Sequence, residues 1–253
     1  MTRTPFNECA ELTARYDELA RVAASRYGAR SQATVFILYD ELIALRQARL
    51  RHPDSIVVAA RIADLRERIR ASYRGCEFPP LAEVPVTTVR TAPLVLEFDR
   101  QVFIRRYAAA AESLRPHIIT VDSPDIEPLE SGRSYMYVVD DERRLLVWDR
   151  PFDLGDLVFG RNRATVDGVP VAHPMLVPDR LRVMAAGEII FVGSPKPAFV
   201  IANTKSGHFR PPPATVHLLR AVFRDGLGLQ DRDLDLFALG SPANDHQPPQ
   251  TTA

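Results

Sequence analysis

Apolar residues recur at every third or fourth position through the first 75 residues, which is the spacing of amphipathic helices. The first stretch shows the spacing clearly, in Leu12, Tyr16, Leu19 and Ala23. Gly28 ends it, and a second helix follows Ser31, a residue type that caps helix N-termini well. Residues 52–53 break that helix, and a third runs from Asp54 to Gly75. The pattern predicts an antiparallel helical bundle, or a helical arm packed on the rest of the chain.

The next segment, residues 76–132, has a mixed character. Four prolines interrupt short β-branched runs between residues 79 and 98, which indicates a linker or edge strands, because proline cannot donate to a central ladder. Asp99 is placed to cap a helix that extends to about residue 115. Residues 116–132 are expected to form a loop.

From residue 134 the apolar period changes to two, as in strands. Residues 135–139 and 145–148 flank a charged tip and predict a hairpin. Further strands are expected at 181–184, 189–193, 198–202 and 234–238, with one helix over 211–226. Residues 241–253 are polar and proline-rich, so we expect them to be disordered. The predicted fold class is α+β, with an N-terminal helical lobe (1–75), the mixed segment (76–132) and a bent antiparallel β-rich lobe (133–240).

Charge excludes one broad class of function. Thirty-two basic residues balance thirty-two acidic ones, so the chain is not expected to bind nucleic acid in general. It contains no run of eighteen apolar residues, and its first ten residues lack the apolar core of a Sec signal, so no membrane partner is expected. Cys9 and Cys76 are far apart in sequence and form no disulfide or zinc pattern.

The basic residues are almost all arginine, since Lys196 and Lys205 are the only lysines. One interpretation is a GC-rich genome. The other is a protein delivered into a eukaryotic cytosol, where few lysines leave few acceptor sites for ubiquitin. In that second interpretation the chain is made in a bacterial cytoplasm and secreted without a Sec signal.

Three polar residues stand in otherwise apolar, strand-like sequence: His173, Glu188 and His208. Small residues adjoin two of them, including Gly187 and Gly207, and small residues permit a close approach of backbone or ligand. Polar groups in this setting are either fully hydrogen-bonded structural residues or parts of a site. Glu188 and His208 are the candidate catalytic residues. In the alternative interpretation, Glu188 faces outward from its strand and His208 bonds a loop carbonyl.

The stretch around His208 has the residue types of an anion site. Asn203, Ser206 and Arg210 precede a predicted helix start, where free N–H groups favour anions, but the same residues are also typical of a capped turn. Arg133 leads into the hairpin and is a candidate clamp for a diphosphate or, alternatively, a surface partner of a nearby glutamate. The spacing of His173, Glu188 and His208 matches no zinc signature, so no metal is expected.

The C-terminal part resembles a module of plant IQ-motif calmodulin-binding proteins that also occurs in bacterial secreted toxin-like proteins. The resemblance covers about residues 133–238 and rests on His173 to Leu176, the run Ala185-Ala186-Gly187-Glu188, and Ser206-Gly207-His208 with Pro211. Pro174-Met175 stands where that family has two serines, and Phe209 where it more often has tyrosine. No IQ-type basic helix is present, so calmodulin binding is not implied.

By architecture alone, a helical lobe before a β-rich lobe is similar to mono-ADP-ribosyltransferase effectors, including those that modify host ubiquitin. That resemblance implies NAD as substrate and a protein target such as ubiquitin. Glu188 would then grip the nicotinamide ribose, Arg133 or Arg210 the diphosphate, and His173 or His208 the ribose hydroxyls, with Asn203 and Ser206 as further NAD contacts. The competing hypothesis is a non-enzymatic protein-binding module in which the three polar residues are structural.

Overall fold

The computed structural model describes residues 5–74, 86–89, 94–122, 126–153, 155 and 164–239. The predicted tail, residues 241–253, lies outside these ranges. The helices are α1 (Pro5–Tyr27), α2 (Gln32–Arg51), α3 (Ile56–Tyr73), α4 (Arg100–Arg106), α5 (Ala108–Leu114) and α6 (Thr215–Leu227). The strands are β1 (Val86–Val89), β2 (Val95–Phe98), β3 (Ile118–Val121), β4 (Ser134–Asp140), β5 (Leu145–Trp148), β6 (Thr165–Val166), β7 (Val169–Pro170), β8 (Arg182–Val192), β9 (Phe199–Asn203) and β10 (Leu234–Phe237).

The three N-terminal helices form as predicted, and their starts follow local capping. The Ser31 hydroxyl accepts a hydrogen bond from the N–H of Thr34 at 3.2 Å. Ser55 caps α3 in the same way, through the N–H of Val58 at 3.4 Å, so α3 begins two residues after the predicted Asp54. No helix of the described residues is both long and apolar enough to cross a bilayer.

Two predictions for the middle segment are wrong in detail. The helix expected from Asp99 to about residue 115 is divided into α4 and α5 at Tyr107, although Asp99 does cap it through the N–H of Val102 at 2.7 Å. Within the predicted loop 116–132, β3 forms a strand that pairs with β5. β-branched residues dominate this short strand, and its long-range pairing with β5 carries no local signal. The middle segment thus contributes β2 and β3 to the same sheet as the C-terminal strands.

The main sheet runs in the order β1-β2-β8-β4-β5-β3, and β9 and β10 extend it beside β8. β10 pairs with β9 in parallel, so the sheet is mixed rather than wholly antiparallel, and the fold class is α+β as predicted. The hairpin of β4 and β5 has the predicted position. α6 begins at Thr215, later than predicted, and ends at Leu227 before Gly228, whose positive φ of 69° terminates the helix.

The long strand β8 organises this sheet. The sequence predicted two strands here, at 181–184 and 189–193, but the intervening small residues continue the strand because they pair with β4. On the edge away from β4, β8 pairs with β2 at its start and with β9 at its end. Among the described strands, none pairs with residues 184–188 on that edge. Gly187 and Glu188 therefore lie at the junction where β2 and β9 approach the same strand.

The sheet separates two hydrophobic cores. One face carries residues such as Met136 and Val138 against the N-terminal helices, α4 and α5. The other carries Tyr135 and Tyr137 against α6. The register between β8 and β4 shifts at Asp140, so the two faces to which the side chains of β8 alternately point are exchanged there. After the shift, the even-numbered residues of β8 face the N-terminal helices.

A buried ion pair connects α2 to β10. The guanidinium of Arg46 donates to both carboxylate oxygens of Asp235, at 2.7 and 2.8 Å, and also stacks on Phe199 with its Cζ 4.5 Å from the ring centroid. Arg66 of α3 approaches the same carboxylate, with Nε at 3.2 Å. Asp235 is fully buried. Arg46 and Asp235 are 189 residues apart in sequence, and their bidentate pair attaches the helical lobe to the sheet.

We predict that Asp235→Asn lowers the free energy of unfolding by about 3 kcal/mol or more, because it leaves the guanidinium of Arg46 buried without its counter-charge. Denaturant unfolding measures the change. Asp231→Asn is the matched control, since Asp231 is exposed and 3.7 Å from Arg220, and it should cost about 0.5 kcal/mol or less. Equal losses in the two variants would contradict the role assigned to Asp235.

Candidate functional site

A single peptide group lies at the centre of the candidate site. The carbonyl oxygen of Gly187 accepts a hydrogen bond from Nε2 of His173 at 3.1 Å. The N–H of the next residue, Glu188, donates to Oδ1 of Asn203 at 3.2 Å. Both polar groups of the Gly187–Glu188 peptide are thus bonded to side chains, one from the 3₁₀ turn His173–Leu176 and one from the end of β9.

Glycine is required at position 187 because the backbone of Asn203 passes directly over it. A Cβ placed on Gly187 would lie 2.0 Å from the carbonyl oxygen of Asn203 and 3.0 Å from the N–H nitrogen of Lys205. That carbonyl oxygen also accepts a hydrogen bond from the hydroxyl of Tyr137 at 2.9 Å. The space beside Gly187 is therefore filled by main chain, and the small residue serves backbone packing rather than ligand approach at this point.

His173 is a buried, neutral histidine. Burial and, to a smaller extent, the nearby His208 lower its pKa from 6.5 to about 3, while the hydrogen bond to Gly187 acts in the opposite direction. Because a carbonyl oxygen only accepts, Nε2 carries the ring proton. The effect of His208 on the pKa of His173 indicates that the two imidazoles are near each other.

His208 contacts aromatic side chains instead of a helix N-terminus. Its Nε2 and the hydroxyl of Tyr107 form a 3.0 Å hydrogen bond, and its ring packs against Phe98 with a centroid distance of 5.9 Å. Burial, followed by the charge of Arg106, lowers its pKa from 6.5 to about 4. The predicted position before a helix is wrong, because α6 begins seven residues after His208, at Thr215. The alternative interpretation expected His208 to bond a loop carbonyl, whereas its Nε2 bonds the hydroxyl of Tyr107.

Glu188 lies on the face of β8 that turns toward the N-terminal helices, in register with Met136. Its side chain is half-buried, but Oε2 is shielded from solvent and has no hydrogen-bond partner among the described residues. Burial raises its pKa from 4.5 to about 7, against the lowering effects of Lys205 and of a hydrogen bond from Asn203. Both imidazoles are neutral at the pH where Glu188 ionises, and His173 bonds the carbonyl oxygen of the adjacent residue, Gly187.

The residues predicted around His208 form a capped turn. Oδ1 of Asn203 accepts from the N–H of Lys205 at 2.9 Å, and the hydroxyl of Ser206 accepts from the N–H of Phe209 at 3.3 Å. Arg210 is exposed and has a positive φ of 48°. These bonds correspond to the alternative interpretation of this stretch.

Arg133 lies apart from this network. It is exposed, its Nη2 is 3.6 Å from a carboxylate oxygen of Asp153, and its N–H donates to the carbonyl oxygen of Glu130 at 3.3 Å. Four cavities of about 200 to 430 Å³ open elsewhere among the described residues, and none of the four is lined by His173, Glu188 or His208. Within the described ranges, no three His, Cys, Asp or Glu side chains converge as a set of metal ligands.

Two further residues belong to this network and were not predicted from the sequence: Tyr107 bonds His208, and Tyr137 bonds the carbonyl oxygen of Asn203. Tyr137 belongs to the predicted hairpin. The only indication in the sequence that it bonds a buried group is its hydroxyl, since a buried tyrosine usually finds a hydrogen-bond partner. Tyr107 is 101 residues from His208 in sequence and gives no such signal. Comparison with known proteins found no matching family model, no matching curated protein and no matching solved structure.

We predict that Gly187→Ala destabilises the protein by about 3 kcal/mol or more, because the added methyl group collides with main chain that cannot move independently of the sheet. Gly226→Ala is the matched control. Gly226 lies in α6, and a Cβ there meets nothing within 4 Å, so alanine should add about 0.5 to 1 kcal/mol of stability. Chemical denaturation of both variants provides the comparison. Tolerance of alanine at position 187 would show that the junction is loosely packed.

We also predict acid lability from His173. A histidine with a lowered pKa contributes stability that is fully present above pH 6.5 and is lost as the pH falls toward about 3. His173→Gln keeps a donor for the Gly187 carbonyl but cannot take up the proton. The melting temperature of the variant should therefore fall less than that of the wild type between pH 6.5 and pH 4.

His217→Gln, which changes an exposed histidine of α6, is the control and should follow the wild-type curve. Parallel pH curves for His173→Gln and the wild type would exclude His173 as a source of the lability.

Proposed function

We propose that this chain is a protein-binding module, in which the polar network around the Gly187–Glu188 peptide stabilises the sheet and carries out no reaction. The main support is that His173 and Asn203 both direct their polar atoms at that one peptide. A reaction would need such atoms to face a substrate, whereas here they satisfy backbone groups at a strand junction.

The surface that we assign to partner binding is an apolar corner, defined by Leu50, Ile56 and Val57 at the connection between α2 and α3. The exposed fractions of these side chains are 44%, 83% and 43%. A single exposed apolar residue is ordinary, but three at one corner are typical of a contact surface. Covering a side chain of this size contributes about 1.5 to 3 kcal/mol.

Ubiquitin is the partner that we propose to test first. The support comes from the resemblance to bacterial effectors and from the presence of only two lysines in the chain, which is expected of a protein that avoids ubiquitin attachment in a host cytosol. An apolar corner is suited to a partner whose own contact surface is apolar.

Mono-ADP-ribosyl transfer from NAD is the second candidate, and one observation favours it. One oxygen of the Glu188 carboxylate has no partner in the part of the chain that the structure describes, and the pKa of the group is about 7. Perturbed carboxyl groups of this kind are concentrated at catalytic sites. In this function Glu188 would stabilise the positive charge that develops on the ribose as the bond to nicotinamide breaks. Arg133 and Arg210 would remain the candidate diphosphate contacts.

One experiment on Glu188→Gln separates the two functions. In either function the wild type loses stability as the pH rises from 4.5 toward about 7, because a half-buried carboxylate must ionise, so the NAD measurements decide between the two. Glutamine removes that cost, so at pH 8 the variant should be more stable by up to about 3 kcal/mol. We also expect that NAD and ADP-ribose leave the melting temperature of both proteins unchanged, and that ubiquitin gains no mass when NAD is added.

The same samples test the binding surface. A complex with ubiquitin should be lost in Ile56→Ser and retained in Ile104→Ser, where the exposed fraction of the isoleucine is 54% and the site is on α4. Failure of the wild type to bind would remove ubiquitin as the partner. An ADP-ribose adduct on ubiquitin that disappears in Glu188→Gln would overturn the non-catalytic proposal and establish the second candidate.

A further inference from the structure

A cleft of about 430 Å³ lies between α2, α3 and the turn that precedes β10. Four arginines line it, namely Arg46, Arg49, Arg66 and Arg232. The acidic side chains of the lining are Asp54 and Asp233, and Asp235 lies beneath it, bonded to Arg46. Four guanidinium groups against three carboxylates give the cleft a net positive charge within a chain whose formal net charge is zero.

Three of the four arginines have a carboxylate partner, Asp235 for Arg46 and Arg66 and, at 3.9 Å, Asp233 for Arg232, while main-chain carbonyl oxygens also orient Arg49 and Arg66. Arg49 donates to the carbonyl oxygen of Ser55 at 2.6 Å, and no carboxylate of the described residues pairs with it. Arg66 donates to the carbonyl oxygen of Leu234 at 3.1 Å. Carbonyl oxygens orient a guanidinium without cancelling its charge, so its remaining N–H groups keep their capacity for an anion.

The two inner arginines share one carboxylate. Arg46 binds Asp235 through two hydrogen bonds, and Arg66 approaches it with Nε at 3.2 Å. Burial lowers the pKa of Arg66, and Arg70 and Arg46 lower it further, against the raising effect of Asp235. Two guanidinium groups therefore share one carboxylate at this end of the cleft.

We propose that this cleft binds a small phosphate-bearing molecule. Guanidinium groups match phosphate oxygens with two parallel N–H donors, and several of them around one partly desolvated cleft bind phosphate more strongly than lysines on a flat surface do. The volume suits a small molecule rather than a nucleic-acid strand. Arg49 and Arg232 form the outer contacts, and Arg46 and Arg66 form the inner wall.

Calorimetric titration with inorganic pyrophosphate, at about 0.15 M salt, tests the site. We expect one saturable binding event in the wild type. Arg232→Ala should weaken it by about tenfold, and the double variant Arg49→Ala/Arg232→Ala by more, because each removes charge-assisted hydrogen bonds. Arg232 has a side-chain exposure of 79%, so its loss does not threaten the fold, and thermal unfolding of the double variant checks that it is folded.

Arg224→Ala is the charge-matched control, since Arg224 is exposed on α6 and does not line the cleft. It should bind pyrophosphate as the wild type does. The proposal is overturned if the wild type shows no saturable binding, if the folded double variant binds with unchanged affinity, or if Arg224→Ala weakens binding as much as Arg232→Ala does.

Discussion

The peptide between Gly187 and Glu188 is the constraint on which the β-rich lobe depends. On the edge away from β4, β8 pairs with β2 at its start and with β9 at its end. No described strand pairs with the middle of β8 on that edge. His173 and Asn203 replace the missing ladder by bonding that peptide, and the main chain of Asn203 fits over Gly187 without a gap. A backbone group deprived of its partner here would cost as much as a lost buried hydrogen bond, so histidine, asparagine and glycine act as one unit.

The α+β class and the helical lobe could be predicted from the sequence, because the apolar period is local information. Ser31 and Asp99 are local signals too, and both cap helices as expected. The errors occur where pairing is long-range. β3 is too short to be identified without β5, and Ala185 and Ala186 continue β8 only because β4 lies beside them. The parallel pairing of β10 with β9 is likewise a property of tertiary structure.

The candidate site was predicted in part. Polar residues in apolar strands did mark a real network, and Asn203 and Ser206 do cap a turn, as one interpretation required. The bond between His208 and Tyr107 could not be predicted from the sequence, because the two residues are 101 positions apart. The side of the sheet to which Glu188 turns depends on the register of β8 with β4, which is also a long-range property. The same limit applies to the arginine-lined cleft, whose members come from α2, α3 and the turn before β10.

The bond between Arg46 and Asp235 has a consequence for the order in which this protein can mature. A ribosome releases α2 long before it releases β10, because 189 residues separate the two charges. During synthesis the helical arm can form its own turns, but the guanidinium of Arg46 has no contact with Asp235 until β10 emerges. A nascent chain halted before residue 235 therefore lacks this ion pair, and its helical arm is held on the sheet by apolar contacts without it.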